Sequence, residues 1–64
     1  MTKEEHLKSL LEDIFETKQT IKDILAVFET DEQRQILIDE LESGLDDQAV
    51  IMLMAFDIAN GLEV

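Results

Sequence analysis

The sequence predicts an all-α fold, a small bundle of three helices completed by pairing with a second copy of itself. Three observations carry that prediction. The chain has no proline and only two glycines, and no run of β-branched or aromatic residues alternates with a period of two, so helical periodicity has no rival. Its 64 residues contain no cysteine, which leaves one small core, worth about 3–5 kcal/mol at most, without a disulfide to support it. Residues 49–56 are eight consecutive apolar residues, more than one helix needs to face one core.

Thr2 followed by Glu5 has the pattern of a capping box and opens the first helix. Leu7, Ile14, Ile21 and Phe28 then repeat every seven residues, while Leu10, Leu11, Ile24 and Leu25 fill the adjacent rows of the same face. With no glycine or proline to interrupt it, this stripe reads as one helix over about 3–29. Thr17 and Lys18 weaken its middle layer, so a break near 17–20, giving four helices in all, is the alternative. Thr30 with Gln33 repeats the capping pattern and starts a second helix, about 31–43, with Leu37, Ile38 and Leu41 on its apolar face and Ile36 at one edge. Gly44 supplies the left-handed closing residue, and Leu45 folds back on the last turn. Asp46 then caps a third helix, about 46–60, with Leu45 and Val50 as its hydrophobic staple and Asn60-Gly61 at its far end. Residues 1–64 therefore read as a single helical domain.

Sixteen acids against five lysine and arginine residues give a net charge of -11. The imbalance is uneven, because all five bases lie in residues 1–34 and residues 35–64 hold none. Nucleic-acid binding rests on cations that displace counterions from phosphates, so no direct binding to nucleic acid is expected, and an anionic membrane surface repels the chain likewise. The opening residues lack the apolar segment of a secretory signal, and the apolar run that ends at Asp57 falls short of the ~18 residues a membrane span needs. A soluble cytoplasmic protein is the expectation.

Two sets of residues are candidates for function. Asp39, Glu40 and Glu42 lie near the C-terminal end of the second helix, where its dipole disfavours them and no lysine or arginine stands three or four residues away. Asp46 and Asp47 join them across the turn, and the five carboxylates form a candidate site for a basic partner surface, or else a solvated loop that aids solubility. Their spacing does not fit an EF-hand loop, and with His6 as the sole nitrogen ligand and no thiolate, neither a metal nor any other cofactor is expected. On the third helix, Val50, Met54 and Asp57 share a stripe and, with Ile58, form a candidate oligomer or partner interface, although Met52, Met54 and Phe56 also read as core. Catalysis has no candidate residues. His6 lies in an exposed first turn, Ser9 and Ser43 have no activating motif, and Glu12, Asp13 and Glu16 have no cleft to separate their pKa values.

The opening Met1-Thr2-Lys3 with Glu5, and the Asp31-Glu32-Gln33 that starts the second helix, resemble the helical hairpin of the plasmid-encoded Rop family, which dimerises into a four-helix bundle and binds paired RNA loops. That RNA face needs a basic, amide-bearing first helix, whereas this one carries seven acids against four lysines, so no binding residue carries over. The resemblance implies only that a chain of this size completes its core by pairing with itself.

Charge and apolar stripe together predict a non-enzymatic protein that binds and regulates or inhibits a partner, such as a phage or mobile-element inhibitor docking on a basic nucleic-acid-binding surface. The alternative is a self-assembling structural or adaptor protein whose acids serve solubility only, and salt separates the two, since it weakens electrostatic docking and leaves apolar assembly intact.

Overall fold

The computed structural model describes residues 2–61. Among them are four α-helices and no strand: α1 (Lys3–Glu12), α2 (Lys18–Val27), α3 (Asp31–Glu42) and α4 (Gln48–Ala59). The first helix of the sequence reading is thus two. Its break falls at 13–17, slightly ahead of the weak layer at 17–20. A continuous helix over 3–29 would be about 40 Å long at 1.5 Å per residue, whereas the longest dimension of the molecule is 30 Å. Folding the segment into a hairpin lets Leu7 and Leu11 face Ile21 and Ile24 across one core, so the seven-residue spacing belongs to two helices that converge. Short turn bonds close α1, with the Ile14 and Phe15 amides donating to the Leu11 carbonyl at 3.0 and 2.8 Å, and Phe15 buries its ring in the connector.

Both capping boxes form. Thr2 accepts from the Glu5 amide at 3.2 Å and Thr30 accepts from the Gln33 amide at 3.2 Å, while the Glu5 and Gln33 side chains return the bond to the cap residues. At the end of α3, Gly44 takes a φ of +110°, and the Leu45 amide reaches the Glu40 carbonyl while the Gly44 amide reaches that of Leu41. These two bonds are the Schellman pattern that the glycine makes possible. The cap of α4 is Asp47, one residue after the expected Asp46, since its carboxylate accepts from the Ala49 and Val50 amides at 3.0 and 3.2 Å. Val50 therefore stands on the helix surface at 41% exposure and takes no part in a staple.

Glu5 has a further consequence. The Thr2 backbone amide and then its hydroxyl, at 3.0 and 3.1 Å, hold the exposed Glu5 carboxyl below its ordinary range. A carboxyl depressed in the folded state adds stability above its unfolded pKa and loses it as pH falls through the folded value. The first turn of α1 is expected to fray over that acid range, read by NMR from the His6 amide, which donates to the Thr2 carbonyl at 2.9 Å. In a Glu5→Gln variant the step should vanish; an unchanged step would mean that another group causes it.

Leu37, Ile38 and Leu41 of α3 and Ile51, Ala55 and Ile58 of α4 complete the core begun by α1 and α2. Each helix touches two others, α1 meeting α2 and α3 while α4 meets α2 and α3, so the four close into a ring. Four helices of one chain thus supply the core that the sequence reading assigned to pairing with a second copy. The two hairpins also match in register. Shifting α1 and α2 by thirty residues lays them on 33–42 and 48–57, with connectors 13–17 and 43–47 of equal length. The buried residues Leu7, Leu11, Ile21 and Phe28 then fall on Leu37, Leu41, Ile51 and Ile58, which are buried as well.

Candidate functional site

The five carboxylates of the α3–α4 corner do not converge on a point. Asp47 is occupied as the α4 cap, Asp39 accepts from the Gln35 side chain at 2.6 Å, and Glu42 lies 3.3 Å from His6 Nε2 across the α1–α3 contact. Asp46 is exposed and Glu40 is half-buried. Among the described residues no three potential ligands are placed to hold a metal ion. The corner is a diffuse negative surface in which Asp47 caps α4 and Glu42 meets His6 of α1.

A groove of about 540 Å³ runs between α1 and α2. Lys8, Lys18 and Lys22 line it together with Glu4, Glu5 and Glu12, over Ile21 and Leu25. All six charged side chains are exposed, so the groove mixes both signs in full contact with water and lacks the dry wall that tunes a catalytic group. Arg34 has a structural task, since it pairs with Asp31 at 2.9 Å and donates to the Phe28 carbonyl at 3.3 Å, tying α3 to the end of α2.

The outer face of α4 is different. The core takes Ile51, Ala55 and Ile58, and Met54 packs against its edge. Of the four residues assigned to an interface from the sequence, Ile58 is only 2% exposed and belongs to the core, Met54 is half-buried, and Val50 and Asp57 are on the surface. What the helix presents outward is Ala49, Val50, Met52, Leu53 and Phe56, with Leu53 66% and Phe56 48% exposed. Ile36 of α3 is exposed as well, one turn beyond Gln33, whose side-chain amide reaches the Ile58 carbonyl at 3.4 Å. The sequence missed Met52, Leu53 and Phe56 because α4 is apolar almost all round, so periodicity alone does not say which side its neighbours cover.

The internal match of the hairpins supplies a comparison. Gln19, Lys22, Asp23 and Ala26 occupy on α2 the positions that Ala49, Met52, Leu53 and Phe56 occupy on α4, thirty residues later, and all eight are exposed. The same place in the same architecture is polar once and apolar once. Packing of the hairpin therefore does not require apolar residues there. The chain matches no family model, no curated protein and no solved structure. No helix among the described residues is long and apolar enough to cross a membrane.

Proposed function

We propose that this chain is a non-catalytic protein-binding module that docks through the outer face of α4. One observation carries the reading: α4 exposes Met52, Leu53 and Phe56 where α2, at matching positions, exposes Lys22, Asp23 and Ala26. Apolar area kept in water without a packing reason is the mark of a surface that another macromolecule covers. Asp57 lies on α4 with this face, Asp46 and Asp47 precede the helix, and no base occurs in residues 35–64. The complementary partner is a protein with an apolar groove bordered by lysine or arginine, as basic nucleic-acid-binding surfaces provide. Occupying such a surface regulates or inhibits its owner, which is the biological role proposed here.

Immobilised chain offered to a lysate of its source cells tests this. The wild type should retain basic proteins that elute as salt rises to about 0.5 M, where charge attraction is screened. Leu53→Asp should weaken the retained complex by about 30-fold, the effect of losing a buried anchor worth ~2 kcal/mol. Equal retention by wild type and variant would contradict the reading. The alternative, a self-assembling structural or adaptor role, would use the same exposed face.

A further inference from the structure

Met52 and Met54 stand close together on α4, yet in different surroundings. Met52 is 38% exposed on the outer face, with the exposed Phe56 one turn away, while Met54 is half-buried and packs against the core. The chain has no cysteine, tryptophan or tyrosine, so its three methionine thioethers are the groups that a peroxide oxidises first. The third, Met1, lies outside the described residues. We infer that Met52 is an oxidation site through which a peroxide releases the partner from α4 and leaves the fold intact. This control rests on the outer face of α4 being the docking surface proposed above.

The internal match of the two hairpins separates the two sulfurs by consequence. At the matching positions of α2, Lys22 stands for Met52 and is exposed, whereas Ile24 stands for Met54 and is 3% exposed. The architecture therefore accepts a polar side chain at the first position and buries an apolar one at the second. In the reaction, a lone pair of the Met52 sulfur attacks one oxygen of hydrogen peroxide, and an S–O bond forms as the O–O bond breaks. The proton of the transferred oxygen passes to the departing one, which leaves as water. Sulfur is oxidised by two electrons and the peroxide is reduced by the same two. The product is a polar sulfoxide in place of a flexible apolar side chain, beside Leu53 and one turn from Phe56. An apolar groove that covers the sulfoxide leaves its oxygen without a donor, and the desolvation cost weakens binding. A methionine sulfoxide reductase, drawing electrons from a dithiol, restores the thioether.

Titrating the folded chain with hydrogen peroxide and locating the sulfoxides by peptide mass spectrometry tests this. Met52 should react at least about threefold faster than Met54, because susceptibility follows exposure. Chain oxidised at Met52 should keep its circular dichroism at 222 nm and its melting midpoint. Its retention on phenyl resin, a probe of exposed apolar surface, should fall, and its capture of the salt-eluted basic proteins should fall about tenfold. Treatment with a reductase should restore both. Met52→Leu, which keeps an apolar residue of similar size, should hold both through the same peroxide dose. Met52→Gln should reproduce the loss with no peroxide added. Equal oxidation of Met52 and Met54, unfolding on oxidation of Met52, or an equal loss of retention in Met52→Leu would each overturn the switch. If those failures accompany capture that Leu53→Asp weakens, the docking reading stands and only its control by oxidation is removed. Capture that survives Leu53→Asp overturns the docking reading, and the control with it.

Discussion

Replacing Leu37 with alanine is expected to leave this protein largely unfolded at room temperature. Leu37 is fully buried on α3, within the core to which all four helices contribute. Truncating a buried leucine costs about 2–5 kcal/mol through lost transfer energy and the cavity left behind. A chain of this size draws about 3–5 kcal/mol from its single core and has no disulfide to narrow its unfolded state. The loss therefore takes most of what there is. Circular dichroism at 222 nm should show a large fall in helix signal and a broadened, displaced melt. Leu53→Ala is the internal control, since Leu53 is mostly exposed and the change should stay within about 0.5 kcal/mol. Similar losses for the two variants would contradict the assignment of Leu37 to the core and Leu53 to the surface.

The largest expected effect on binding comes from transplanting the outer face of α2 onto α4, with Ala49→Gln, Met52→Lys, Leu53→Asp and Phe56→Ala in one chain. These are the residues that α2 itself carries at the matching positions. The added lysine and aspartate cancel, so the net charge and the long-range electrostatics stay as they were. Only the short-range apolar contact is removed. Retention of the basic partner should fall by more than a hundredfold, because each anchor residue of an interface is worth about 2 kcal/mol or more and here two large ones, Leu53 and Phe56, are lost together. The rate of first encounter should change far less, since it follows the unchanged charge. A binding assay that finds full affinity in this variant would move the contact elsewhere on the molecule.

Much of the fold was legible. The capping boxes at Thr2 and Thr30 and the Gly44 closure are local signals that depend on residues three to five apart, and they formed as the sequence indicated. The hairpin between α1 and α2 was harder to see because its connector holds no glycine or proline, buries Phe15 and packs a half-buried Ile14 against the same core. Apolar residues in a buried connector continue a helical stripe on paper. The α4 face was harder still. Asp57 is the one charged residue among its twelve, and it marks the wet side only loosely, so Ile58 read as interface and Met52 and Phe56 as core. Which side of such a helix is covered is decided by the positions of α2 and α3, and that is tertiary information.

Urea unfolding of the chain bearing α2's outer face on α4, run beside the wild type, tests most directly whether α4 has an outer surface that the fold does not need. The expected result is a cooperative transition with the same slope and a free energy within about 1 kcal/mol of the wild type, as for surface substitutions. A loss of several kcal/mol, comparable to Leu37→Ala, would show that Met52, Leu53 and Phe56 belong to the core and leave no apolar face for a partner to cover.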